Sequence, residues 1–363
     1  MSKLLSFGRA AGNVGMTLGV AAAGAAVGFA AERYAVGRSL RGEDPYADEP
    51  LGTLRGAPFT METDDGVQLH VEVDEPDGRP DLTVVFSHGY ALNLDAWHFQ
   101  RRDLRGQARL VFWDQRSHGR SSRAPTGSVS FPRLASDLAQ VIDETVPKQG
   151  RLVLVGHSMG AMTMMALAQA RPELFAERVA GIGLIATSHQ NVDATLGIPG
   201  PAGRLAHRIA PGLVAALARQ PDLIERGRRA GSDLGYVLTR RYSFVGQASP
   251  SLVAFTAQMN AATPIDVVAE FLPLFAANDQ RNAVTALPPL PTLVIGAAAD
   301  RLTPVEHSRE LVDLLPRAEY VEVPDAGHMV LLERHEVVTS HLEKLIQQAR
   351  SDRVRWWRRR KAR

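Results

Sequence analysis

A mostly parallel α/β sheet, with helices on both faces and one helical insertion, is the fold class this sequence predicts. Three observations predict it. Short unbroken apolar runs alternate with helix-periodic stretches from residue 67 to residue 350. One run leads into Gly156-His157-Ser158-Met159-Gly160, directly ahead of an Ala- and Met-rich helical stretch. Between 190 and 283 the strand–helix rhythm stops. Strands buried on both faces read as continuous apolar runs, and their alternation with helices implies parallel crossovers. The 363 residues, 45% hydrophobic and 22% charged, exclude wholesale disorder and allow one large domain of this kind. With no Cys in the chain, a disulfide framework, a thiolate metal site and a Cys nucleophile are excluded.

The elements follow in order. Residues 42–58, rich in Gly and Pro, read as a linker into a core that starts at 59. Residues 67–74 alternate apolar and polar side chains, as a half-buried strand does, and end in the turn Glu75-Pro76-Asp77-Gly78. The runs 82–86, 110–113, 152–155 and 179–186 are apolar but for Thr83 and predict strands buried on both faces. Helices are expected at 132–146, starting on a proline, and at 159–170, stopping before Pro172. The first core part therefore spans 59–189. Residues 190–283 show helical spacing broken by Pro and Gly, which predicts a helical cap inserted over the sheet. The core resumes over 284–349, with strands at 292–296 and 320–323 and helices at 304–315 and 334–350.

The ends differ from the body. The chain carries +2 overall, but residues 1–41 carry +4 and residues 350–363 carry +7, which leaves −9 on residues 42–349. An acidic body excludes a nucleic-acid-binding surface on the fold itself. Residues 10–31 are uncharged and long enough to cross a bilayer core, although 14 of the 22 are Ala or Gly. A membrane anchor, a cleaved signal peptide, a helix packed on the domain and a disordered leader all fit that composition. The tail 350–363 sets Trp356 and Trp357 among cations, which suits an anionic membrane surface and equally a solvated basic end. Membrane association through 10–31 and 350–363, on an unassigned side, is the expectation; a secreted or cytoplasmic protein is the alternative.

The chemistry centres on Ser158. Gly-x-Ser-x-Gly between a strand and a helix makes a sharp turn that lifts the serine hydroxyl clear of the backbone. The helix N-terminus beneath it offers unpaired N–H groups to an oxyanion. A serine needs a base held by a third group. His328 lies in Pro324-Asp325-Ala326-Gly327-His328, and Asp300 lies in Gly296-Ala297-Ala298-Ala299-Asp300. Both loops follow strands, at the carboxyl edge where open α/β sheets build their sites. Asp193, after the strand 179–186, is the rival acid. Ser87-His88-Gly89-Tyr90 follows the strand 82–86. Gly89 allows a close turn, the N–H groups of Tyr90 and Met159 form a two-donor oxyanion hole, and His88 holds the loop by hydrogen bonds.

With these motifs placed, the chain resembles an α/β-hydrolase of the serine-nucleophile branch with a helical cap, over roughly 60–347. The supporting residues are His88-Gly89, the run from Asp114-Gln115-Arg116 through Gly119-Arg120-Ser121, the Ser158 elbow, and the Asp300 and His328 loops. The family's structural loop corresponds to 114–121, where Ser117 stands in place of a common Gly. A serine at the elbow excludes the branches with a carboxylate nucleophile, and the elbow departs from the proline iminopeptidase pattern. The elbow is similar to those of monoacylglycerol-lipase-like, carboxylesterase, thioesterase and cofactor-free haloperoxidase-like members. The resemblance implies a serine hydrolase acting on a small-molecule ester with an apolar acyl group, with no cofactor and no metal. A thioesterase or acyltransferase on the same residues, and a catalytically silent binding scaffold, are the other readings. Leu252, Val253, Phe255, Met259, Phe271, Leu272 and Phe275 are either pocket walls or the core of the cap itself.

Overall fold

The computed structural model describes Gly37 and residues 43–361, apart from 79, 193–231 and 316. The segment 10–31 and the rival acid Asp193 lie outside the described residues, as do the side chains beyond 351. Eight strands form one sheet: β1 (Ala57–Glu62), β2 (Gln68–Asp74), β3 (Thr83–Ser87), β4 (Arg109–Trp113), β5 (Leu152–His157), β6 (Val179–Ile185), β7 (Thr292–Ala297) and β8 (Glu319–Val323). Their order is β1-β2-β4-β3-β5-β6-β7-β8. The β1–β2 and β2–β4 pairs are antiparallel and every other pair is parallel. The helices, in chain order, are α1 (His98–Leu104), α2 (Phe131–Thr145), α3 (Met159–Ala170), α4 (Pro172–Glu177), α5 (Ser232–Ser243), α6 (Pro250–Ala262), α7 (Ile265–Ala276), α8 (Arg281–Thr285), α9 (Val305–Leu314), α10 (Val330–Glu333) and α11 (His335–Lys361).

The apolar runs are buried on both faces because successive strand side chains point to opposite sides. Leu152 and Leu154 of β5 join Val85, Ile182 and Val294 under α2, α3 and α9. Val153 and Val155 join Val84, Phe86 and Leu293 under α1 and α11. The chain leaves β3 toward β4 on one side, then returns to place β5 on the other side. The connections from β3 and β5 therefore diverge, which opens a crevice at the carboxyl edge between two adjacent strands. The loop 88–93 and the Ser158 elbow stand at that crevice.

Several stretches depart from the sequence expectation. Residues 42–58 do not behave as a linker. β1 begins at Ala57, and the stretch before it is strapped across the domain. The Asp44 carboxylate accepts from the Ser249 hydroxyl and from the N–H and hydroxyl of Ser251, at the start of α6. The Tyr46 hydroxyl bonds His335 Nε2 at 3.0 Å, and Glu49 Oε1 bonds His98 Nε2 at 2.8 Å. Gly and Pro there mark irregular backbone, not freedom. The stretch 94–104, which had no predicted element, holds a single 3₁₀ turn and α1. The last helix does not stop at 350 but runs to Lys361, because nothing in Arg353–Lys361 breaks a helix. Among the described residues, no helix is long and apolar enough to cross a membrane.

Among the described residues, helices α5 to α8 lie in the insertion between β6 and β7. Of the apolar residues with two readings, Leu252, Val253, Phe255, Met259 and Phe271 are buried in the core, while Phe275 is partly buried against it. Most of them therefore hold the insertion on the sheet.

Candidate active site

The elbow is built by close backbone approach. Ser158 sits at φ 52°, ψ −119°, a conformation that L residues rarely adopt. Such strain costs on the order of 1–3 kcal/mol and persists only where the surroundings enforce it. Here Ser158 N–H donates to Ile185 O at the end of β6, and the Thr187 hydroxyl donates to Ser158 O at 2.9 Å. The flanking glycines are required for room. A Cβ on Gly160 would lie 2.1 Å from Ser87 O, and one on Gly156 would lie 2.5 Å from Ala161 N. The N-terminus of α3 is thereby pressed against the end of β3.

Asp300 and His328 meet behind this elbow. Their Oδ2 and Nδ1 atoms are 2.8 Å apart, and both residues are 7% exposed. The carboxylate is fully used: Oδ1 accepts the N–H groups of Leu302 and Thr303, and Oδ2 also accepts the Thr303 hydroxyl at 2.8 Å. Burial pushes the Asp300 carboxyl up, but the charge and hydrogen bond of His328, with the Thr303 donors, outweigh it and hold the group below its ordinary value. With Nδ1–H committed to Asp300, His328 is left with Nε2 as its free nitrogen. His157 donates from Nε2 to His328 O at 2.9 Å, and the two rings stand 4.8 Å apart, so the His328 loop is tied to the residue beside Ser158. Among the described residues no hydrogen bond joins the Ser158 hydroxyl to His328. Contacts between nucleophile and base are commonly long before substrate binds.

The loop after β3 is aimed by its histidine. His88 donates from Nδ1 to Gly89 O at 2.7 Å and accepts Gln115 N–H at Nε2 at 2.9 Å. Gly89 C=O and Tyr90 N–H belong to one planar trans unit and point in opposite directions. Holding the carbonyl on His88 therefore turns the Tyr90 N–H the other way. The N–H groups of Tyr90 and Met159 have no partner among the described residues. A Cβ on Gly89 would lie 2.7 Å from His157 Nδ1, so that position must stay glycine. The Gln115 amide donates to His88 O at 2.6 Å while its oxygen accepts the Thr163 hydroxyl of α3 at 3.1 Å, which braces the loop against the helix. The Tyr90 hydroxyl donates to Val268 O of α7 at 2.6 Å.

The 114–121 run sits beside this loop. Asp114 accepts the N–H groups of Leu94 and Arg120. Burial pushes its carboxyl up to about 6 against those hydrogen bonds. Ser117, at the position of the common Gly, has φ 64°, and its hydroxyl accepts Ala124 N–H at 2.9 Å. That bond offsets a backbone conformation a glycine would adopt freely. Gln115 and His157 stood in the sequence motifs without a role of their own, and Thr163 and Thr303 were given none. Only Thr303 had a local signal, the Asp-x-x-Thr spacing of a side-chain-capped turn.

Three imidazoles around the site are buried and neutral. Burial first, then neighbouring charge, lowers His88 and His157 to about 3, and His118 to about 4. In the unfolded chain each takes a proton near its ordinary 6.5. The stability these groups contribute is complete above that value and is lost as pH falls from it toward 4. The slope is about 1.4 kcal/mol per pH unit for each group. The Asp300 contribution is lost in the same direction. Thermal unfolding is expected at a clearly lower temperature at pH 5 than at pH 7.5; equal midpoints would show that these imidazoles are not held neutral.

Two cavities stand out among the described residues. One, of about 550 Å³, is lined by Phe131, Ala166, Ala170, Pro273 and Leu274. The other, of about 380 Å³, is lined by Tyr46, Gln247, Leu252, Glu333 and Arg334. Neither is lined by Ser158, Asp300 or His328. The larger one lies at the C-terminal end of α3, whose twelve residues span about 17 Å from Met159. The chemistry, not the cavity size, therefore locates the candidate site.

An elbow serine at the switch point of a mostly parallel sheet, with an Asp–His pair on later strand ends, defines a hydrolase of the α/β class. The chain belongs to the alpha/beta hydrolase fold family, whose family model matches residues 83–335. It is 28% identical over 72% of its length to the protein named carbamate hydrolase RutD of Variovorax paradoxus, covering 89% of that protein. It resembles the enol-lactonase from Burkholderia xenovorans LB400 at 25% identity and a TM-score of 0.62, covering 80% of this chain and 100% of that one. A thermophilic esterase from Thermogutta terrifontis shares the fold at a TM-score of 0.63 and 24% identity, covering 80% and 98%.

Proposed function

We propose that the protein is a serine hydrolase that cleaves a carboxylic ester of an apolar acyl group through an acyl-enzyme on Ser158. The observation that carries this reading is the Asp300–His328 contact at 2.8 Å beside a serine held at φ 52°. His328 takes the Ser158 proton at Nε2 as the hydroxyl oxygen attacks the ester carbonyl. The developing oxyanion is met by the N–H groups of Tyr90 and Met159. His328 then gives its proton to the leaving alcohol, and the carbonyl re-forms as the acyl-enzyme. Water, deprotonated by His328, attacks that ester; the acid leaves and Ser158 regains its proton. Asp300 orients His328 throughout and stabilises its charged form. These steps use only groups of this chain. The names of the relatives, an esterase, a lactonase and a carbamate hydrolase, describe acyl groups attacked at a carbonyl, which supports the reaction class.

The test is hydrolysis of p-nitrophenyl esters across short and long acyl chains, with a thioester arm and fluorophosphonate labelling. Turnover with an optimum in chain length, together with labelling of Ser158, is expected. No turnover on any ester, with no labelling, would sink the reading.

A further inference from the structure

The loop that carries His328 is held from outside the Asp–His pair by a second carboxylate. Glu333 is the last residue of α10 and is buried, 8% exposed. Its Oε2 accepts Gly327 N–H at 2.6 Å, directly beside His328 in the chain. Its Oε1 accepts Val245 N–H at 2.8 Å, in the insertion just past α5. The same two segments meet again through the backbone: Met329 N–H donates to Ser243 O at 2.9 Å. A Cβ on Gly327 would lie 2.8 Å from Ser243 O, so the strands of chain are in direct contact. The neighbours of His328 on both sides are therefore bonded to acceptors that do not belong to the His328 loop itself.

We propose that Glu333 is a positioning residue for His328: by bonding Gly327 and Val245 at once, it lets the insertion set where the imidazole stands relative to Ser158. Glu333 touches no reacting atom and acts only through Gly327. The inference rests on the Ser158–His328 reading above. Two carboxylate oxygens match two converging N–H donors. An amide in that place turns an NH₂ toward one of them and leaves a buried donor unpaired. The shorter Asp keeps both acceptors but draws them back by one carbon–carbon bond.

The experiment compares full-length wild type with Glu333→Gln and Glu333→Asp. It measures kcat and KM on the best p-nitrophenyl ester, the rate of Ser158 labelling by a fluorophosphonate, and the unfolding midpoint. A misplacement of about 1 Å can lower a rate by roughly 10²-fold. Glu333→Gln is expected to lower kcat by about 10- to 100-fold and the labelling rate by a similar factor, with KM within about twofold. Glu333→Asp is expected to recover part of that loss. A folded Glu333→Gln with wild-type kcat and labelling rate overturns the proposal. Should Glu333→Gln fail to fold, Glu333→Asp decides: wild-type kcat and labelling overturn it, and slowed kcat at constant KM supports it. Glu333→Ala with added formate gives a further check, because the neighbouring cavity of about 380 Å³ is lined by Glu333 and admits a small carboxylate. Formate is expected to raise kcat in Glu333→Ala and not in wild type; no gain counts against the proposal. A wild-type protein that is never labelled at Ser158 would instead sink the ester-hydrolase reading beneath it.

Discussion

Replacing Ser158 with Ala is expected to abolish ester turnover, lowering kcat by about 10⁶-fold, the scale on which removal of an activated nucleophile acts. Thr187 donates its hydroxyl to Ser158 O and Ser188 donates to Gln190 O, while Ser87 Oγ accepts the Trp113 Nε1–H. A residual rate of about 10³ to 10⁴ over water is expected to survive through the N–H groups of Tyr90 and Met159. The fold should persist, because Ala adopts the same strained backbone and the hydroxyl makes no hydrogen bond among the described residues. Parallel assays of wild type and Ser158→Ala check this. Turnover retained in the variant would remove Ser158 from the reaction.

Asp300→Asn should also be severe, though less so, for a reason visible in its hydrogen bonds. Oδ1 accepts two backbone N–H groups, from Leu302 and Thr303. In the amide that position must remain the oxygen, so the NH₂ falls where Oδ2 faces His328 Nδ1. Nδ1 can then only accept. The imidazole proton moves to Nε2, the nitrogen that has to receive the Ser158 proton. Trapping the wrong tautomer lowers kcat by about 10⁴-fold with geometry otherwise intact. Steady-state kinetics near neutral pH give the answer: a loss below tenfold would take Asp300 out of this role and bring Asp193 back as the candidate acid.

Legibility varied with the range of the signal. The five central strands were readable because burial on both faces leaves an unbroken apolar run in the chain. Ser158 was readable because strand, turn and helix meet within a few residues. The Asp300–His328 pairing was readable from the place of both residues in loops after apolar strands. β1 and the strap through Asp44 and Tyr46 were not, since a Gly- and Pro-rich stretch looks the same whether it hangs free or is bonded to distant partners. The bonds of Gln115 and Glu333 were not, since each reaches a backbone group on another element.

Periodicity, turn chemistry and the glycines around Ser158 are local properties, and they were enough to specify the sheet and the strained turn that carries Ser158. Whether His157 reaches His328, 171 positions away, or Gln100 reaches Leu331, 231 away, is set by how the helices pack on the two faces of the sheet. Packing also decided which apolar residues of the insertion are core, and which backbone N–H groups at the elbow are left without a partner. No single segment carries that information, because a distance between remote residues exists only after the chain between them has folded.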